Sequence, residues 1–238
     1  MSGAQGSGLR DFAAWRGEGA ASAFGVRYGA WRLSVLLEAD GFDADGARLL
    51  EHARTAFLTT LGEAWSQIQE PASFLRRLLE DANRETWVRI RTNPVWRDRF
   101  VGVVLALTDG GELWLAQAGH GRVLGGDARG LRELLHPQTA AARMEEEGTI
   151  GSAAEAPEKL RSRPLQGLGL PPLDFAPRVK GPVPRASSGV LLLLSFAAGE
   201  AIHASEIPSF LDGGDGEEAG LGRLLDYCRA RDPWAHVA

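Results

Sequence analysis

The sequence predicts an α+β layered sandwich, and three observations carry that reading. An apolar, strand-like run at 31–39 precedes two long segments with helical hydrophobic spacing. The spacing then switches to the strand period through 100–135. A buried-strand run at 189–195 is followed in turn by further helical segments. Strands and helices grouped in this order argue against alternating βαβ units on one parallel sheet.

Residues 1–20, Gly/Ser-rich over 1–8, read as a flexible N-terminal segment, and 21–238 as a single domain. WRLSVLLEA at 31–39 is a strand running into the Asp40-Gly41 turn signal. A helix is predicted over 46–64, where Leu49, Leu50, Ala53, Phe57 and Leu61 form the apolar stripe. A second is predicted over 72–92 with Leu75, Leu78, Leu79 and Ala82 buried, stopped by Asn93-Pro94. FVGVVLALT at 100–108 is a strand, and Asp109-Gly110-Gly111 a hairpin turn. The chain returns over 112–118 and turns again at Gly119-His120-Gly121. It pairs back over 121–125 and adds a strand at 129–135, an antiparallel meander.

A helix over 138–148 ends at Gly148, and 151–188 reads as an irregular surface flap carrying Pro157, Pro164, Pro171, Pro172, Pro177, Pro182 and Pro184. Together 138–188 is a helix plus a Pro-rich flap. GVLLLLS at 189–195 is a buried strand, helices follow at 204–211 and 217–230, and 232–237 is a candidate last strand. No repeat of solenoid or propeller period is present.

Composition narrows the function classes. A net charge of -5 gives no electrostatic reason to expect nucleic acid. The single cysteine, Cys228, excludes an internal disulfide and leaves no thiol cluster for zinc; it reads as a small helical residue. MSGAQGSGLRDF has no apolar core, so no signal peptide is expected, and the apolar run Val190–Leu194 is too short to span a bilayer. A cytoplasmic protein without membrane insertion is the expectation.

Five ordered pieces then resemble one family. They are Glu38-Ala39-Asp40-Gly41 followed by Gly46-Ala47-Arg48-Leu49, LWLAQAGHGRVLGG at 113–126, and the helix-and-flap segment 136–170. GVLLLLSFAAGEAI and Asp232 with Trp234 and Val237 complete the set. In this order they resemble the metal-dependent protein phosphatases of the 2C (PPM) type over about 25–238. The resemblance implies a four-layer α-β-β-α sandwich with two antiparallel sheets. It also implies two Mg²⁺ or Mn²⁺ ions that activate a bridging water for attack on a phosphoester. In that family an Asp of Ala-Asp-Gly bridges the ions and an N-terminal carboxylate serves one. The Asp of Ser-Asp-Gly and a terminal Asp serve the other, and an N-terminal Arg grips phosphate.

Carried over, Asp40, Gly41 and Asp232 match metal positions, and Arg27 is the phosphate candidate. The N-terminal carboxylate has no match in GVRYGAWR. The hairpin Asp is replaced by His120, and Ser-Asp-Gly by Ser195-Phe196-Ala197. Two carboxylates are a thin set for two divalent ions, which want several oxygens each. Each residue also has a plain reading. Asp40 and Asp232 are good turn formers, Asp43 and Asp45 suit a solvated loop, and His120 a turn residue. His52, His136, His203 and His236 show no ligand spacing. Glu145, Glu146 and Glu147 read as a solvated helix end, with a basic partner as the alternative. Trp15, Trp31 and Trp234 are core residues or exposed anchors.

The expected function is a pseudophosphatase that binds another protein, of the kind found in kinase–phosphatase signalling or secretion systems, with no cofactor expected. One alternative is an active Mg²⁺- or Mn²⁺-dependent Ser/Thr phosphatase in which Asp40, Asp232, His120 and Asp43 or Asp45 converge. Another is a non-catalytic module for a phosphorylated ligand, using Arg27 and Arg32.

Overall fold

A computed structural model describes residues 21–39, 43–65, 68–127, 130–184, 190–211 and 217–232. The chain runs β1 (Ala21–Tyr28), β2 (Trp31–Ala39), α1 (Ala44–Ala64), α2 (Pro71–Thr92), β3 (Val101–Thr108) and β4 (Glu112–Ala118). Next come β5 (Arg122–Asp127), β6 (Gly130–Leu135), α3 (Ala140–Glu146), α4 (Glu158–Arg161) and β7 (Arg178–Pro184). It closes with β8 (Val190–Leu194), α5 (Phe196–Ala201), α6 (Pro208–Leu211) and α7 (Glu217–Arg231).

Two antiparallel sheets form, one of five strands ordered β1-β2-β3-β4-β7 and one of three ordered β6-β5-β8. Strand alternation sorts the side chains into layers. Leu33, Val35 and Leu37 of β2 and Val103, Leu105 and Leu107 of β3 pack against α1 and α2 through Leu49, Phe57, Leu75 and Leu78. The intervening Leu36, Val104 and Ala106 pack instead against Val123, Leu134 and Leu193 of the second sheet. The outer face of that sheet, Leu124, Leu192 and Leu194, is covered by Ala197, Ala198, Ile202, Leu224 and Cys228. The result is the four-layer α-β-β-α sandwich.

The long helices form where the apolar stripe predicts them. Each is held at its start by a side chain: Asp43 accepts from Gly46 N–H at 2.8 Å, and Glu70 from Ser73 N–H at 2.7 Å. Pro71 opens α2, where a missing N–H costs nothing. The third helix spans Ala140–Glu146, inside the expected 138–148, and Gly148 follows it at φ 69°. Among the described residues no helix is long and apolar enough to cross a membrane.

Four expectations are corrected. Gly119-His120-Gly121 does not join a hairpin: β4 pairs with β3 and β7, whereas β5 pairs with β6 and β8 in the other sheet. The turn is a crossover between sheets. A β4–β5 hairpin reads the same in sequence, because both strands are apolar on both faces. Residues 178–184 are an edge strand, not irregular flap; its prolines are tolerated because an edge strand needs only one set of ladder bonds. A short helix, α5, follows Ser195 where none was expected, capped by Ser195 Oγ accepting from Ala198 N–H at 3.2 Å. The helix expected over 204–211 is confined to Pro208–Leu211. The candidate strand at 232–237 lies outside the described residues beyond Asp232, as do 1–20.

Candidate functional site

The crossover brings the sheets together at one point, and glycine makes the approach possible. Gly119 has φ 131°, and a Cβ there would stand 2.8 Å from Gly102 Cα. The turn is pinned from both sides. Gln117, fully buried, donates from Nε2 to the carbonyls of Gly119 at 3.1 Å and Gly121 at 2.6 Å. Gln138 N–H donates to Gly119 O at 2.8 Å, and Gly119 N–H to Gln138 Oε1 at 3.3 Å.

Into this junction β2 sends a carboxylate. Glu38 follows Leu36 by two residues and so faces the second sheet, the same side as the inter-sheet core. Its partners in register are Ala21 on β1 and Gly102 on β3. The missing side chain of Gly102 leaves room for His120: a Cβ would meet His120 Nδ1 at 3.4 Å. His120 and Glu38 are only 7% and 5% exposed, with His120 Nδ1 3.5 Å from Glu38 Oε2.

The second sheet supplies the other half. At the start of α5 the helical N–H groups lack intrahelical acceptors. Phe196 N–H donates to Glu38 Oε2 at 2.9 Å and Oε1 at 3.2 Å. The Phe196 ring stacks on His120, 5.2 Å between centroids and 13° from parallel. Burial raises the Glu38 carboxyl above its ordinary value. His120 and the backbone at the start of α5 pull it back, and the charge of Asp232 pushes it further up. Asp232, just past α7, is thus within electrostatic reach, its N–H bonded to Cys228 O at 2.8 Å.

The structure therefore brings His120 and Phe196 onto Glu38, with Ala197 next in α5 and Asp232 within electrostatic range. Asp40 and Gly41 lie outside the described residues. Arg27 is placed elsewhere: it pairs with Arg32 at the exposed β1–β2 turn. That is the opposite end of β1 from Ala21, about 20 Å away at the rise of a strand. The junction end of β1 is its beginning, at Ala21, which pairs with Glu38. Asp43 is committed to the α1 cap and to Arg99, whose two terminal nitrogens reach its oxygens at 2.6 and 2.7 Å. Asp45 faces Arg48 at 3.5 Å.

Other residues singled out in the sequence have local roles. Glu145 accepts from Ala153 N–H at 3.0 Å, Glu146 pairs with Arg178 at 2.8 Å, and Glu147 with Arg143 at 2.8 Å. His52 sits edge-on to Trp96, and His136 is 3.1 Å from Glu133. His203 Nδ1 lies 2.9 Å from Ser205 Oγ, and Trp31 packs on Trp114 at 5.6 Å. Trp15, Trp234 and His236 lie outside the described residues.

Glu38 is the site residue that sequence reasoning missed. Its signal is an acid in an apolar strand at a core-facing position, two residues from Leu36. Beside the junction lies a polar cavity of about 460 Å³ between α3, the 152–161 segment and α5. Phe196 lines it, as do Arg122 and Arg161, which both reach Glu200, at 3.3 and 3.1 Å.

The donor set decides whether the described residues suit a two-metal centre. Phe196 has no donor atom in its side chain, its ring stacks on the face of His120, and its N–H is shared by both Glu38 oxygens. No group of three or more His, Cys, Asp or Glu side chains among the described residues is placed to hold a metal ion. The described residues do not by themselves make up such a centre, and Asp40 and Gly41 lie outside them.

No protein-family model and no curated protein sequence matches the chain. Solved structures do. The Ser/Thr phosphatase Stp1 from Staphylococcus aureus matches with a TM-score of 0.79 at 17% identity, over 100% of this chain and 96% of that one. The Ser/Thr phosphatase of S. agalactiae matches at 0.78 and 16% identity, over 96% and 97%. The catalytic domain of PstP in complex with two manganese ions matches at 0.66 and 16% identity, over 97% and 94%. The chain has the fold of the PPM-type, phosphatase 2C-like Ser/Thr phosphatases.

Proposed function

We propose that this protein is a pseudophosphatase: a phosphatase 2C-like fold that does not hydrolyse phosphoesters and works by binding another protein. The observation that carries the reading is the filled junction. Two of the three positions altered from the family pattern, 120 and 196 (the third is Ala197), hold rings stacked on each other beside a buried, hydrogen-bonded Glu38. PstP, by contrast, is a neighbour of this fold that holds two manganese ions.

The alternative of an active, rearranged metal site needs Asp43 or Asp45 as a replacement ligand. Asp43 is committed to Arg99 and the α1 cap, which weighs against it. A phospho-ligand module built on Arg27 and Arg32 would lie at the exposed β1–β2 turn, away from the junction. The protein-binding reading favours the cavity beside Phe196 and the 151–177 segment as contact surface, in a cytoplasmic signalling or secretion-system assembly.

The test is manganese-dependent hydrolysis of p-nitrophenyl phosphate and a phosphothreonine peptide, with Asp40→Ala as control. The expected result is no turnover above the control. Turnover that needs Asp40 overturns the reading.

A further inference from the structure

We infer that Glu38 is an internal ligand for the inter-sheet junction, the chain's own link between β2 and the start of α5, and that His120 and Phe196 form one unit with it. The inference deepens the non-hydrolytic reading and rests on it.

Glu38 belongs to the five-stranded sheet, whereas Phe196 and Ala197 follow directly from β8 of the three-stranded sheet. Its carboxylate is therefore a hydrogen-bonded tie from one sheet to the other at this end of the sandwich, by way of the Phe196 N–H. A buried carboxyl group is costly unless its oxygens are satisfied. Here both oxygens share the Phe196 N–H, and the His120 imidazole lies 3.5 Å from Oε2. His120 in turn is carried in by the crossover, where Gly119 comes too close to Gly102 for a Cβ, and the Phe196 ring stacks on it.

A metal-binding junction needs outward-facing donors with open coordination. Here the two Glu38 oxygens are turned onto the Phe196 N–H. The arrangement predicts a junction that is ordered without an ion and that does not tighten when one is supplied. It also makes Glu38 a positioning residue for the first turn of α5, whose Phe196 lines the neighbouring cavity.

The experiment is amide hydrogen exchange and thermal unfolding of the full chain, with and without manganese, for the native protein and for Glu38→Gln and Glu38→Asp. Glu38→Gln keeps the shape and replaces one of the two oxygens that accept from Phe196 N–H with an amide that cannot accept. Exchange at the Phe196 amide is expected to speed up about tenfold, the loss expected when a buried hydrogen bond is weakened. Amides in the middle of β3 stay slow, which a general loosening of the fold would not allow. Glu38→Asp, with both acceptor oxygens kept and the reach shortened, is expected to restore part of the protection. Manganese is expected to leave Tm and exchange of the native protein unchanged.

Unchanged exchange at Phe196 in Glu38→Gln overturns the inference. So does a manganese-induced rise in native Tm that vanishes in Glu38→Gln, which makes Glu38 a metal ligand. Phosphatase turnover with Glu38-dependent exchange intact would instead sink the pseudophosphatase reading alone.

Discussion

The His120 imidazole lies flat against the Phe196 ring, 5.2 Å between centroids, and so joins the crossover after β4 to the first turn of α5. The two residues come from different sheets. A double-mutant cycle with His120→Ala and Phe196→Ala, followed by urea unfolding, is expected to give a coupling of about 0.5–1.5 kcal/mol. Strict additivity would mean that the rings are neighbours without being partners.

Gly119→Ala tests the crossover itself. Its φ of 131° is strained for any L side chain, and the new Cβ meets Gly102 Cα at 2.8 Å. A loss of about 1–3 kcal/mol or more is expected from strain of this kind. A native-like Tm would show that the chain passes between the sheets by another path.

Gln117 is the polar pin beneath that turn. Gln117→Leu keeps the bulk and removes both donations to Gly119 O and Gly121 O. Gly119 O keeps its bond from Gln138 N–H, so the loss falls on Gly121 O, and leaving that carbonyl unpaired is expected to cost about 1–3 kcal/mol in chemical denaturation. A variant as stable as the native protein argues that the Gly121 carbonyl is otherwise satisfied.

The Asp43–Arg99 pair carries a pH signature. The Arg99 side chain and the Gly46 N–H hold the Asp43 carboxyl well below its ordinary value of 3.8. A depressed carboxylate stabilises the fold above the unfolded-state value and loses that contribution as pH falls through the folded-state value. Asp43→Asn is therefore expected to have a lower Tm near pH 7, with the gap closing below about pH 4. Because Asp43 is half exposed, the effect is modest, and added salt shrinks it. A gap that widens in acid contradicts the pairing.

Cys228 is fully buried on α7, and burial pushes its thiol up to about 11. Ellman's reagent is expected to label it only at the rate of unfolding. Rapid labelling of the native chain would place it at the surface.

Much of this was legible in one dimension. The stripes of α1 and α2, the Asn93-Pro94 stop and the doubly apolar β3 and β8 need only period and punctuation. The fold resemblance came from motifs in order, and the solved structures bear it out. The junction was only partly legible. His120 and Phe196 stood out because they differ from a family pattern, yet nothing local says that they touch across 76 residues. Glu38 was passed over because an acid beside Asp40-Gly41 looks like part of a polar turn. Its alternation with Leu36 was the overlooked signal.

The sequence alone determined the order of the elements, the apolar face of each helix and the chemistry available at positions 38, 120 and 196. Those follow from local periodicity and side-chain identity. The tertiary structure alone decided that Gly119-His120-Gly121 crosses between sheets, that Arg27 lies at the far end of β1 from the junction, and that Glu38 is held by the Phe196 N–H. The physical reason is that these depend on pairing choices between distant strands. Two strands that are apolar on both faces specify burial but not a partner, and only packing of the two sheets selects which neighbour each one takes.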